Sequence, residues 1–379
     1  MAHATAESSS CPLTDARTLR LARLVALLPD AGVDALLVTR ECDIRYFTGF
    51  CGHDSFLLIT GNSATVISDN RYDEQLNPVR SSGAADVVIG MRHRLPESLP
   101  ALCTTAGVRR IGVQSQAITL AMANAVRSAL KNASVVETGA LVESLRMCKD
   151  AVEIAAIEHA ITINEAAMKA TLAAFKPGMR ERDLGALLEF EIKKAGGDAI
   201  GFSPIVAAGA HGSLPHYEVG DTVIAKGESL LLDWGAGAAG YNSDLTRTFG
   251  VGSMPAKIRE IYQIVLDAQL AAIAAAAPGR ICAEIDAVAR DHITKAGYGE
   301  HFGHGLGHGM GLLVHEAPFF NTLQTDVALE PGMVMTVEPG IYLPGIGGVR
   351  IEDDIVITDD GCRVLSHYPK GLEHAILPA

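Results

Sequence analysis

Long apolar runs are missing from the sequence. No stretch of the 379 residues approaches the roughly 18 consecutive apolar residues of a membrane-spanning helix. Basic residues are outnumbered, 31 Lys and Arg against 44 Asp and Glu, and the net charge of −13 argues against nucleic-acid or membrane-surface partners. Cysteine is sparse: Cys11, Cys42, Cys51, Cys103, Cys148, Cys282 and Cys362 are odd in number and never spaced C-x-x-C. That excludes a disulfide or zinc framework and points to reduced thiols in a cytoplasm. The opening "MAHATAESSSCPLT" lacks a basic segment followed by an apolar one, so no secretory signal is expected and residues 1–17 are expected to form a flexible tail. No G-x-S-x-G and no Walker loop is present, and His315-Glu316 is followed by Phe319 where a zincin would place its second histidine.

The residues that are present fill two domains. Residues 18–147 interleave amphipathic helices such as "LARLVALLPDAG" and "ITLAMANAVRSALKN" with short apolar strands: "DALLVT", "SFLLIT", "SATVISD", "ADVVIG", "RIGVQ" and "ASVVET". This alternation is that of an α/β layer domain. Asp69 to Tyr72, "DNRY", reads as a solvated turn after a strand. From 148 to 379 the chain repeats itself. "KPGMRERDLGALLEFEIKKAGG" and "APGRICAEIDAVARDHITKAGYG" share Pro-Gly, an acid before an aliphatic, and Lys-Ala-Gly, each landmark offset by 101 residues (177 to 278, 194 to 295). Each copy leads into a strand with an acid six residues after its first glycine: "GESLLLDWG" and "GMVMTVEPG". Two such halves imply a pseudo-twofold domain with something held between them.

Gly235 to Gly240 spell G-x-G-x-x-G after an apolar run. A dinucleotide fingerprint needs a helix next, because the pyrophosphate rests on that helix's N-terminus. The next residues here, "YNSDLTRTFGVG", alternate like a strand. The glycines therefore read as the bend of a hairpin whose arms carry Asp233 and Asp244. The second half mirrors this with Glu338 and Glu352. Four carboxylates gathered in a dry cleft repel one another unless divalent cations neutralise them. Asp353 and Asp354 have no counterpart in the repeat and read as turn acids or acids behind the ligands. "HFGHGLGHGMGLLVHE" adds His304, His308 and His315 among glycines that permit close approach, and "GSLPH" adds His216.

On these motifs the sequence resembles the pita-bread metallopeptidases, Xaa-Pro aminopeptidase and Xaa-Pro dipeptidase, with methionine aminopeptidase and creatinase as more distant relatives. The motifs are Asp233 in "LLLDWGA", Asp244 in "NSDLTRT", His308 in "GHGMG", Glu338 in "VEPGIY" and Glu352 in "VRIEDD". The resemblance implies an α+β chain: an N-terminal creatinase/prolidase-type α/β domain, then a pita-bread catalytic domain with an internal pseudo-twofold repeat. It implies two divalent metal ions, Mn(II) first with Co(II) or Zn(II) as alternatives. Asp244 and Glu352 would bridge them, Asp233 would bind one, and His308 and Glu338 the other. A metal-bridging hydroxide would attack the scissile carbonyl, with Glu338 shuttling protons, His315 stabilising the oxyanion, and His216 and His304 around the proline ring. Tyr342 and Arg350 match residues that the aminopeptidase branch uses around Asp233. The expected partners are peptides with proline second, hydrolysed as an Xaa-Pro aminopeptidase or alternatively as a dipeptidase, by a homodimer. A non-catalytic protein reusing the fold would have eroded ligands, and these are all present.

Overall fold

The structure, a computed structural model, describes residues 12–378. The chain separates into two compact units that meet in sequence at Arg146 and Met147. Of the expected tail, residues 1–11, with Cys11, lie outside the described residues. Residues 12–17 open a helix, Pro12–Leu27, rather than a tail, and proline is well tolerated at a first helical position because its missing N–H has no partner there.

In the first unit six strands form one mixed sheet in the spatial order Asp86–Gly90, Ala64–Asp69, Phe56–Thr60, Ala35–Val38, Arg110–Gln114, Ser134–Thr138. The Ala35–Val38 strand runs antiparallel to Phe56–Thr60 and parallel to Arg110–Gln114. The central strands read as near-continuous apolar runs because both faces are covered; Leu36, Leu37, Ile59 and Val113 are all buried. The "DNRY" segment is less solvated than its composition suggests. Asp69 is fully buried and paired with Arg71 at 2.7 Å, its oxygen also capping the Arg71 N–H.

The second unit opens with the helix Ala151–Ala174. Asp150 accepts from the Val152 and Glu153 N–H groups, and Glu153 returns to the Asp150 N–H, a complete capping box. Pro177-Gly178 follows its end. A second helix, Glu181–Lys194, leads to a four-stranded sheet ordered Ile376–Leu377, Leu245–Val251, Ser229–Trp234, Ile205–Ala208. The chain then repeats the design: helices Ala256–Ala275 and Cys282–Lys295, then a five-stranded sheet ordered Glu316–Phe320, Gly307–Gly309, Val334–Val337, Asp353–Ile357, Cys362–Val364. The second helices begin and end 101 residues apart, 181 to 282 and 194 to 295. Each half closes its own core. Leu184, Leu188, Trp234 and Phe249 pack together in the first, and Ile285, Ile293, Val337 and Ile355 in the second.

The glycine-rich stretch is a hairpin. Ala236–Ala238 pairs with Tyr241–Asn242 across Ala239 and Gly240, both at positive φ (50° and 82°). A two-residue turn with both central residues at positive φ suits the strand twist. The chain continues into the strand Leu245–Val251 instead of a helix, so the dinucleotide reading fails on geometry.

Candidate metal centre

The two hairpins bring their acids together because their arms lie side by side. Asp233 sits opposite Thr246 in the first hairpin, and Asp244 immediately precedes the strand Leu245–Val251. In the second, Glu338 immediately follows Val334–Val337 and Glu352 immediately precedes Asp353–Ile357. The Glu352 N–H donates to the Thr246 carbonyl at 3.1 Å, and the Thr248 hydroxyl donates to the Arg350 carbonyl at 3.2 Å. These bonds join the two halves at the site itself.

His308 stands on the short strand Gly307–Gly309, between the strands that carry Glu316 and Met335. Its glycine neighbours have a packing reason. A Cβ at Gly307 would lie 2.1 Å from the Thr336 carbonyl oxygen, and one at Gly309 would lie 2.5 Å from that of Ala317. The glycines admit backbone to backbone here, besides any ligand. The His308 Nδ1–H donates to the Gly309 carbonyl at 3.1 Å, which leaves the Nε2 lone pair facing acids: 3.3 Å to Glu338 and 3.7 Å to Asp244.

Asp244, His308 and Glu352 each offer a ligand atom, all within 4.8 Å of one another. The Asp233 Oδ1 is buried with no hydrogen-bond partner. Burial, then neighbouring Glu352 and Asp233, push the Asp244 carboxyl well above the usual range; burial, then Glu338 and Asp233, do the same to Glu352. Burial and Asp233 raise Glu338 to about 8 against the pull of Arg350. Burial, then His315, lowers His308 to about 3, so it is a neutral donor. Buried acids that resist ionisation, the unsatisfied Asp233 oxygen and an imidazole lone pair facing Glu338 and Asp244 fit divalent cations.

Behind the acids runs a hydrogen-bonded chain. The Arg350 guanidinium donates to Asp233 Oδ2 at 2.6 Å, to the Tyr342 hydroxyl at 2.9 Å and to the Thr246 hydroxyl at 3.0 Å. Thr246 passes its own hydrogen to Glu352 Oε2 at 2.7 Å, and Tyr342 pairs with His304 Nε2 at 2.8 Å. The His304 Nδ1–H is donated to the Gly305 carbonyl at 2.7 Å, so His304 offers the cavity its ring rather than a free nitrogen. Burial, then Arg350, lowers His304 to about 4, which keeps it neutral. Thr336, from the second half as Thr246 is from the first, also holds a second-half acid, bonding the His308 N–H at 3.0 Å and Glu338 at 3.3 Å. His315 tilts against His308 with ring centroids 4.2 Å apart. His216, His304 and His315 all face one cavity of about 830 Å³, whose floor is the acid cluster.

Asp353 and Asp354 are buried strand residues behind Glu352 and not turn acids. Asp353 accepts from Arg247 at 2.7 Å, and Asp354 takes the Asp244 N–H at 3.3 Å. Sequence reasoning missed Thr246, Thr336 and Arg247. A threonine or arginine in a β-strand carries no mark of its role until its neighbour across the strand is known.

Two duplicated hairpin halves with acids at their junction define the pita-bread metallopeptidase architecture, an α+β catalytic unit preceded in sequence by a creatinase-type N-terminal unit. The chain belongs to metallopeptidase family M24, whose pattern is matched by residues 155–359, and the creatinase/prolidase N-terminal domain is matched by residues 20–148. The Xaa-Pro dipeptidase of Pyrococcus horikoshii is 34% identical over 93% of this chain and 98% of its own length. Among solved structures, an Xaa-Pro dipeptidase from Bacillus anthracis superposes with a TM-score of 0.90 and 39% identity, covering 95% of this chain and all (100%) of that one. An X-Pro aminopeptidase from Thermotoga maritima gives 0.85 and 34%, covering 93% and 99%. The family uses a dinuclear divalent-metal centre, and the chain is a hydrolase of this kind. Among the described residues no helix is long and apolar enough to cross a membrane.

Proposed function

We propose that the protein hydrolyses the Xaa-Pro bond at the N-terminus of peptides, an Xaa-Pro aminopeptidase. The observation that carries the hydrolase reading is the convergence of Asp233, Asp244, His308, Glu338 and Glu352 on the floor of a cavity walled by His216, His304 and His315. These five residues would hold two divalent ions, of which Mn(II) suits the mixed carboxylate and imidazole donors, with Co(II) or Zn(II) as alternatives. When bound, such a pair supplies hydroxide at neutral pH and polarises a carbonyl.

The chain's own groups do the rest. Glu338 takes a proton from the nucleophile and returns it to the leaving proline nitrogen. His315, exposed to the cavity beside His308, faces the developing oxyanion. Tyr342 and Arg350 hold Asp233 in place, while His216 and the ring of His304 enclose the proline. An Xaa-Pro amide lacks the N–H that other peptidases grip, so recognition by shape is a reasonable solution.

One feature favours peptides longer than two residues. At about 830 Å³ the cavity lies high in the range of roughly 300–1,000 Å³ for small-molecule sites. Of its described guanidinium groups, Arg350 is committed to Asp233 and Tyr342, while the exposed Arg182 meets Asp221 through Nε alone at 2.9 Å. The alternative, an Xaa-Pro dipeptidase, is favoured by the names of several relatives. Steady-state hydrolysis of alanyl-proline beside alanyl-prolyl-alanine by the Mn(II)-loaded enzyme decides between them. The proposal expects the higher kcat/KM on the tripeptide, and cleavage of the dipeptide alone would establish the alternative. A cytoplasmic homodimer is the proposed form, in keeping with the family resemblance.

A further inference from the structure

In the second half, the helix Cys282–Lys295 carries an acid on its apolar stripe. Asp286 lies among Cys282, Ile285, Ala289 and Ile293 and is fully buried. One turn on, Arg290 meets it in a two-pronged ion pair, Nε to Oδ2 at 2.7 Å and a terminal nitrogen to Oδ1 at 2.8 Å. The pair does not stop at itself. Arg290 also donates to the Phe302 carbonyl at 3.0 Å and to the His304 carbonyl at 2.8 Å, and its guanidinium lies 4.4 Å from the centre of the Phe302 ring. Asp286 Oδ1 accepts the Leu306 N–H at 3.0 Å. Phe302 in turn stands edge-to-face against His304, centroids 5.1 Å apart. Residues 302–306 have little repetitive structure, so their backbone polar groups need side-chain partners.

We propose that Asp286 and Arg290 are positioning residues of the substrate site, a clamp that fixes the His304 loop and so sets where the His304 ring meets the substrate. The proposal rests on the reading of His304 as a wall of the Xaa-Pro pocket. An i,i+4 ion pair on a helix surface contributes little and holds nothing else. This one has every carboxylate oxygen occupied and spends its remaining donors on the backbone either side of one histidine. Arginine is required by that geometry, because a lysine ammonium cannot hold a carboxylate in two prongs and two carbonyls at once. The corresponding helix positions of the first half, 101 residues earlier, are Gly185 and Glu189. Both line the cavity. The first half carries no such pair at these positions, so the clamp belongs to the half that bears His304.

The test is a double-mutant cycle on the metal-loaded enzyme with alanyl-prolyl-alanine, using Arg290→Gln, His304→Ala and the pair, with metal content and melting temperature measured on each. Arg290→Lys and Asp286→Asn, which keep more of the packing, replace Arg290→Gln if it does not fold. A positioning role predicts full metal content and a loss of up to about 10²-fold in kcat/KM, carried mainly by KM. It also predicts that the double variant is no worse than His304→Ala, because the clamp acts through that ring. Wild-type KM in a folded Arg290 variant overturns the proposal, as do losses that multiply in the double variant. If the wild-type enzyme cleaves no Xaa-Pro peptide, the reading of the site falls and the clamp with it; cleavage unaffected by Arg290→Gln removes the clamp alone.

Discussion

The two halves of the catalytic unit share a frame and divide the chemistry unequally. Both present an acid immediately before a strand, Asp244 before Leu245–Val251 and Glu352 before Asp353–Ile357. Both back a ligand acid with a threonine hydroxyl. Yet His304, His308 and His315 come from the second half, and the first supplies His216. The reach of the acids differs as well. Asp233 lies within its strand, whereas Glu338 lies one residue beyond the end of its own, where the extra methylene of glutamate helps it reach the same centre. Duplication explains why carboxylates converge in pairs; the histidines that line the cavity are divided unequally between the copies.

That comparison can be broken most severely at the shared acids. Asp244→Ala or Glu352→Ala should abolish peptidase activity and lose bound metal, measured by elemental analysis beside the kinetics. A variant that retains both ions would show that the two halves are not joined through these residues. At the unshared histidines the expected loss is smaller. His315→Ala should keep its fold and metal while kcat/KM falls by about 10²–10³, the usual cost of losing one aligned transition-state donor. His304→Ala should raise KM relatively more than His315→Ala does. Near-normal kinetics in folded His315→Ala would return that residue to a structural role.

Smaller again are the threonines. Thr246→Val and Thr336→Val should each weaken metal affinity by about 10–100-fold, as is typical when a group orienting a ligand is lost. Thr246 should matter more, because it links Arg350 to Glu352 while Thr336 touches Glu338 at 3.3 Å. Equal effects would mean that the Arg350 chain adds nothing. The smallest effect concerns the metal-free protein. There the Glu338 carboxyl is raised from 4.5 to about 8 by burial and Asp233, so the folded state keeps a proton that the unfolded chain releases. Stability then falls as pH rises through that window, because the folded state binds more protons. The melting temperature after chelation should therefore drop between pH 5 and pH 8, and metal should remove most of the drop. A metal-free protein more stable at pH 8 than at pH 5 would contradict the crowding of acids.

The candidate acids were legible in the sequence because acids after apolar strand residues, repeated in two matching hairpins, are hard to explain as surface charge. The first unit's strands were legible from their apolar runs, although short helices such as Glu41–Thr48 and Leu99–Ala106 left too little periodicity to read. Asp286 and Arg290 stayed hidden for a different reason. At i,i+4 on a helix they look like an ordinary exposed pair, and only the place of Asp286 on the apolar stripe hints that it is buried. Thr246 and Arg247 depend wholly on what the fold sets across from them. Local sequence gives the chemistry a residue can perform, while its partners come from tertiary contacts.

The central claim is that both halves together hold a metal pair on which hydrolysis depends. It is tested most directly by removing all metal, confirming near-zero content, and following cleavage of alanyl-prolyl-alanine as Mn(II) is returned. The expected result is no cleavage at first and a rise that saturates at two equivalents per chain. Full activity in protein verified as metal-free would contradict it.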